Sequence, residues 1–317
     1  MVASAAGIWM SLGSAYQGFR EPVRLTLERG TGTRGIGQVL AEAGVIRAPW
    51  MFLATRALNS SAKLQAGEYE FTKPASVREV FSRIARGDIY HFAFTVPEGS
   101  NLFDIAKLVE EHKVAKAADF LKAAQDPAPI RDLDPSAKTL EGFLFPSTYQ
   151  LSTGTTAAQL AEIMTREFRR QWGRMGKGNP HDALVLASLV EKETGAGSER
   201  KLVASVFANR LKKAMRLDCD PTVIYASILA GRYNGVIHRS DLDRESPYNT
   251  YRSDGLPPGP IANPGAAAIE AALHPAETDF LFFVAKPEGG SHVFSATMAA
   301  HNQAVANYRH ATQGQAH

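Results

Sequence analysis

The chain has 317 residues, 44% of them hydrophobic and 21% charged, a globular balance that excludes disorder over most of its length and suffices for two cores. Its net charge of +3, with Lys and Arg scattered among acids, gives no reason to expect a nucleic-acid partner. Cys219 is the only cysteine, which excludes an intramolecular disulfide and any cysteine-based zinc site.

Residues Val2 to Gly18 carry no charge and include Ile8, Trp9, Met10 and Leu12. The stretch is short for a span of about 20 residues and no basic segment precedes it. Two readings stand at this point: the end of a membrane helix with Tyr16 and Arg20 at its outer interface, or an amphipathic tail. Val23-Arg-Leu-Thr-Leu27 then alternates as a strand, and Gly30-Thr-Gly-Thr33 leads into an amphipathic helix from Arg34 to Ile46. The pattern recurs downstream, where the strand Phe92-Ala-Phe-Thr-Val96 and Gly99 lead into a helix over Asn101 to Glu111. Between the copies lie a strand candidate, Ala66 to Phe71, and a helix opened by Ser76 and Glu79, which have capping-box spacing. Strand, glycine turn and helix occurring twice point to a small α+β module with internal similarity.

From about Thr139 helical periodicity takes over: Ala157 to Trp172, Asp182 to Thr194, Glu199 to Met215 and Pro264 to Leu273. A loop rich in Gly, Pro, Asn and Tyr, Arg232 to Asn263, interrupts them, and a loop so long within a compact domain points to function. Strands over Phe280 to Ala285 and Ser291 to Ser295, joined by a Pro-Glu-Gly-Gly turn, and a helix from Met298 to His310 close the chain. The predicted class is α+β, with an N-terminal segment 1–20, a small α+β module 21–135 and a mainly helical domain with a few strands, 136–317.

Two carboxylates end the apolar helix Asp182 to Thr194. Glu193 follows Val190, Leu189 and Leu186 by three, four and seven residues and shares the most apolar face; Glu191 follows the smaller Ser188, Ala187 and Leu184. An acid held against apolar neighbours at the negative end of a helix dipole has its pKa raised, which suits a general acid. The alternative makes both of them solvated acids beside Lys192 and Arg200. Asp220, ahead of Pro221, reads as the cap of the next helix, with Tyr225 following. Ser246-Pro-Tyr-Asn-Thr-Tyr-Arg252 and Gly255-Leu-Pro-Pro-Gly-Pro-Ile-Ala-Asn-Pro264 offer rings and amides suited to sugar, or form a rigid connector. His238, His274, His292 and His301 lack metal-ligand spacing, and neither a Gly-x-Ser-x-Gly elbow nor a nucleotide fingerprint is present.

Glu191-Lys-Glu-Thr194, Val203-Ala-Ser-Val-Phe-Ala-Asn-Arg-Leu211, Met215-Arg-Leu217, Asp220-Pro-Thr-Val-Ile-Tyr225, Tyr248-Asn-Thr-Tyr251, Gly255-Leu-Pro-Pro-Gly259 and His274-Pro-Ala276 together resemble the YceG-like endolytic murein transglycosylases. The resemblance is most specific from Leu140 to Tyr308. It implies a single-pass inner-membrane anchor over 1–20, a LysM-like module over 21–135, and a periplasmic catalytic domain over 136–317. It further implies that Glu193 is the catalytic acid, cleaving the β-1,4 bond between N-acetylmuramic acid and N-acetylglucosamine to leave a 1,6-anhydro end and so terminating nascent strands. Peptidoglycan glycan strands and the cytoplasmic membrane are the partners it implies, with peptidoglycan synthases as further candidates, and it requires no metal or cofactor. Glu141, in Leu140-Glu-Gly-Phe-Leu-Phe-Pro146, is another acid in a family motif, read as substrate-binding or structural; Tyr225, Asn249 and Tyr251 are the expected glycan contacts. A lysozyme-like muramidase and a catalytically silent peptidoglycan-binding scaffold are the competing readings.

Overall fold

The computed structural model describes residues 9–195 and 197–313, so Ile8 and the rest of the first eight residues, which belong to the expected anchor, lie outside it. No helix among the described residues is long and apolar enough to cross a membrane. The chain divides into two compact units. Unit 1 comprises residues 1–94 and 149–155, and unit 2 comprises 95–148 and 156–317. Residues 95–135, grouped with the N-terminal module in the sequence reading, thus make their contacts within unit 2.

Unit 1 is built on an antiparallel pair, β1 (Val23–Leu27) and β2 (Gly67–Phe71), in the register Val23 to Phe71, Leu25 to Tyr69 and Leu27 to Gly67. The alternation read in the sequence puts Leu25, Leu27, Tyr69 and Phe71 on one buried face. Three helices cover it: α1 (Thr33–Glu42), α2 (Pro49–Leu58) and α3 (Val77–Arg86). Ile36 and Leu40 from α1, Met51 and Phe52 from α2, and Val80, Phe81 and Ile84 from α3 complete the core. The capping box forms as expected, the Ser76 amide donating to Glu79 Oε2 at 2.6 Å and the Glu79 amide to Ser76 Oγ at 3.3 Å. Helix α2 was not predicted, because its outer face is nearly as apolar as its inner one, which weakens the helical period.

A second two-stranded sheet joins β3 (His91–Thr95) to β4 (Thr148–Ser152), the latter also unforeseen. Gly30 and Gly99, the matched glycines of the repeat, both adopt left-handed backbone, with φ of +86° and +74°. The repeated strand, turn and helix is therefore a repeat in conformation as well as in sequence.

Unit 2 opens with α4 (Leu102–Glu111), capped by Asn101 and Asp104, and α5 (Ala117–Ala124). The long α6 (Ala157–Met175) precedes α7 (His181–Glu193), which packs against α8 (Arg200–Lys212) and α11 (Ala266–Leu273). Between the last two lie α9 (Asp220–Leu229) and a single-turn α10 (Arg239–Leu242) inside the long loop. The antiparallel hairpin of β5 (Phe282–Ala285) and β6 (His292–Ser295) pairs Phe283 with Phe294, as the turn predicted, and α12 (Met298–Gln313) ends the described chain. The mixture of helices with short strands is α+β, as expected.

Candidate active site

Helix α7 is the spine of unit 2. Every residue from Leu184 to Val190 is buried, and its one polar member, Ser188, donates to Val185 O at 2.7 Å while accepting the Ile261 amide at 3.1 Å. The two carboxylates at its end meet different fates. Glu191 is tied down: Oε1 accepts from Arg200 Nη2 at 3.3 Å and Oε2 from the Gly265 amide at 2.9 Å. Glu193, the last helical residue, has one hydrogen bond among the described residues, from the thiol of Cys219 at 3.2 Å.

Burial holds the Glu193 carboxyl above its ordinary pKa, and the negative charge of Asp220 adds to this. The Cys219 bond and the imidazole of His292 pull the other way without cancelling it. The expectation of a raised acid at the helix C-terminus is met, and the buried environment is its main cause. Thr194 turns its hydroxyl back to Val190 O, so this side chain closes the helix end and leaves the carboxyl beside it unencumbered.

Cys219 is fixed from behind. Its amide donates to Thr250 Oγ1 at 3.0 Å, the Thr222 and Thr250 hydroxyls meet at 2.9 Å, and Thr222 Oγ1 donates to Cys219 O at 2.6 Å. Burial and the nearby Glu193 raise the thiol's pKa, which keeps it a donor. Replacing Cys219 by Ala removes a bond that favours the charged carboxylate. The alkaline limb of the pH–activity profile is then expected to move to higher pH, whereas Cys219→Ser leaves it in place; kcat/KM measured across the pH range checks both.

Asp220 is the first residue of α9 and Cys219 occupies the cap position, one residue earlier than the sequence suggested. The Asp220 carboxylate does other work: its Oδ1 accepts the Tyr251 hydroxyl at 2.6 Å. Burial, then Asp220, pushes the Tyr251 phenol up, so it stays protonated and donating. Beyond Glu193, a 3-10 turn, Gly197–Glu199, presents Glu199, which takes the His292 amide at 3.0 Å and Nδ1 at 2.8 Å. Burial opposes ionisation of Glu199, but the bonds from His292 outweigh it and hold its pKa below the usual value.

Glu141 sits apart from the acid, fully enclosed and 3% exposed. Its Oε2 accepts the Leu102 amide at 3.0 Å and the Tyr225 hydroxyl at 2.9 Å, and its Oε1 accepts Asn263 Nδ2 at 2.9 Å. Burial raises its pKa to about 8 against the bonds from Leu102 and Tyr225. The ring of Tyr225 lies 5.1 Å from that of Tyr248, and both line a cavity of about 180 Å³ with Glu141 and His181. Asn249 is 1% exposed and spends its amide on the backbone: Nδ2 reaches the carbonyls of Asp241, Leu242 and Arg244 at 3.2, 3.0 and 2.8 Å, while Oδ1 accepts the Tyr251 amide at 3.0 Å. Asn249→Ala strands these groups and is expected to cost about 2–4 kcal/mol, read as a drop in Tm, with an earlier proteolytic cut in the loop 232–263.

The sequence singled out Glu193, Tyr225, Tyr251 and Glu141 as candidates but not most of the groups that hold them. Cys219, Thr250, Asn263 and the pair of Glu199 with His292 are joined to these residues across long sequence separations, and the motifs around Asp220, Tyr248–Tyr251 and Asn263 hinted only at the first three.

A family model described as YceG-like matches residues 25–307. The chain is 33% identical to an endolytic murein transglycosylase of Bacillus subtilis strain 168 over 308 residues, 90% of this chain and 84% of that protein. It is 28% identical to an endolytic murein transglycosylase of Streptococcus pneumoniae D39 over 90% of this chain and 58% of that protein. The crystal structure of a yceG-like protein from Listeria monocytogenes superposes with a TM-score of 0.59 at 33% identity, covering 90% of this chain and 99% of that one. The match over most of both units, with the buried acid-bearing helix at its centre, places the chain in the YceG-like family.

Proposed function

We propose that this chain is an endolytic peptidoglycan lytic transglycosylase whose single catalytic acid is Glu193. The observation that carries the reading is the contrast at the end of α7: Glu191 is neutralised by Arg200 and a backbone amide, while Glu193 is half-buried, raised in pKa and, among the described residues, hydrogen-bonded by a thiol alone. The names of the relatives supply the substrate, murein. Protonated Glu193 gives its proton to the glycosidic oxygen between N-acetylmuramic acid and N-acetylglucosamine as the bond to the anomeric carbon breaks. The 6-hydroxyl of the muramic residue attacks that carbon and returns a proton to the Glu193 carboxylate, leaving a 1,6-anhydro end and an enzyme ready for another turn. Intramolecular attack replaces the second carboxylate that a hydrolase needs to position water or form a covalent bond.

Tyr251 and Tyr225 serve as glycan contacts in this reading. Glu141 and Asn249 support them by fixing Tyr225 and the turn before Tyr251. Unit 1 acts as a LysM-like glycan-binding module. An anchor over 1–20 tethers the enzyme to the inner membrane with the catalytic unit in the periplasm, where cutting nascent strands terminates their elongation near the synthases.

One observation favours a second reading. The carboxylate of Asp220 is close enough to Glu193 to raise its pKa, and a lysozyme-like muramidase would use it to steer water. Asp220→Asn separates the two. Under the transglycosylase mechanism the variant still releases 1,6-anhydro ends, with an alkaline limb moved to lower pH because a charge that raised Glu193 is gone. Loss of cleavage together with reducing ends from the wild type, seen by mass spectrometry of digested strands, would establish the hydrolase.

A further inference from the structure

Helix α2 is apolar on the side that faces away from its own core. At about 100° per residue, Met51, Phe52 and Thr55 share the inward face and are buried, while Trp50, Leu53, Ala54 and Ala57 share the opposite one with Leu58 at its margin. Its other margin is Arg56, whose guanidinium donates to the carbonyls of Asn59 and Ala62 at 2.8 and 2.6 Å. Trp50 is 49% exposed and Leu58 59% exposed. Leu53 and Ala54 are half-buried, but Trp50, Ala57 and Leu58 lie open to solvent, an apolar patch of the kind that marks an interaction surface.

The face continues into the chain's first described residues. Trp9 and Leu58 line the same cleft, together with Phe81 and Arg78, and Met10 beside it is 74% exposed. The Arg78 guanidinium stacks 3.5 Å over the Trp9 ring and donates to Trp9 O at 3.0 Å. Ser82 is shared with a neighbouring cleft bordered by Lys73, Arg83 and Arg86. Charge is divided in the same sense: residues 1–94 carry eleven Lys and Arg against seven Asp and Glu, and 149–155 carry none, whereas unit 2 has 24 basic against 25 acidic side chains. All the net positive charge therefore resides in the unit with the apolar face.

Two exposed tryptophans, one of them stacked against Arg78, on an apolar surface with a basic border are complementary to one environment above others, the headgroup layer of an anionic bilayer. We propose that unit 1 docks on anionic lipid through this face, with Trp50, Leu58, Trp9 and Met10 entering the interface and Arg78, Arg83, Arg86 and Lys73 meeting the headgroups. The part of the contact made by Trp50 and Leu58 belongs to the folded unit and is additional to any tether made by residues 1–20. It is independent of the chemistry at Glu193, so Glu193→Gln leaves it unchanged.

Flotation of the full chain with vesicles of phosphatidylcholine, alone or with phosphatidylglycerol, tests this. The wild type is expected to float with the anionic vesicles, and Trp50→Ser combined with Leu58→Ser, both exposed and both on the folded helix α2, to lower the partition coefficient roughly tenfold. Trp172 is buried in unit 2, so in a Trp9→Phe variant Trp50 is the only accessible indole. Its emission is expected to shift to the blue on vesicles and to be quenched by brominated acyl chains. Partitioning unchanged in the double variant, or a Trp50 that stays open to aqueous acrylamide on the vesicle, would overturn the proposal and leave binding to the tail alone. Absence of flotation by the wild type also overturns it. Concentration-dependent dimerisation abolished by the double variant, with no flotation, would instead assign the face to a second copy of the chain.

Discussion

Glu193→Gln is expected to lower glycan cleavage roughly 10³-fold or more while leaving strand binding in place, because the amide keeps the shape of the side chain and can neither deliver the proton to the leaving oxygen nor take one from the 6-hydroxyl. The sign of the stability change separates chemistry from structure. A carboxyl whose folded pKa lies above its unfolded value favours the folded state most when protonated, and that contribution is lost as pH rises through the folded pKa. The neutral amide has no such loss. The variant should therefore match the wild type in Tm at acid pH and exceed it at alkaline pH. A residue present only for structure would show a lower Tm with its lost activity.

Glu141 should have the largest effect on stability. Its removal to Ala leaves the Leu102 amide, the Tyr225 hydroxyl and the Asn263 amide facing an enclosed void, and the expected cost is about 3–5 kcal/mol, enough to abolish a two-state unit of ordinary stability at elevated temperature. The pH dependence has a definite sign. With a folded pKa near 8 against an ordinary 4.5, the native state holds a proton that the unfolded state has released. Stability contributed by this group is complete below about pH 4.5 and declines as pH rises toward 8. Glu141→Gln keeps the size, trades one donor contact for a repulsion, and flattens that part of the curve. Denaturant midpoints of wild type and Glu141→Gln between pH 5 and 9 read the difference directly, and parallel curves would show that Glu141 is ionised throughout.

Local signals in the sequence were followed closely by the chain. The strand Val23–Leu27, the capping box of Ser76 and Glu79, the paired glycines 30 and 99 and the terminal hairpin rest on nearest-neighbour physics, and each forms where the pattern put it. Helix α2 escaped because its outer face is nearly as apolar as its inner one, which weakens the period that reveals a helix. At the site, spacing along α7 favoured Glu193 over Glu191 and left the solvated alternative open; the partners of Glu191 close it for that residue. What spacing could not supply was the far side of each contact. Cys219 reaches Glu193 across 26 residues, and Asn263 reaches Glu141 across 122. Asn249, chosen for its amide, shows the same limit from the other direction: the group suited to a sugar is already committed to three carbonyls.

The central claim is that one acid suffices because the substrate supplies its own nucleophile. Digestion of purified glycan strands in water enriched in ¹⁸O, followed by mass spectrometry of the new muramic ends, tests it most directly. The account predicts 1,6-anhydro ends with no ¹⁸O incorporated from the wild type. Reducing ends carrying ¹⁸O at the anomeric position would contradict it.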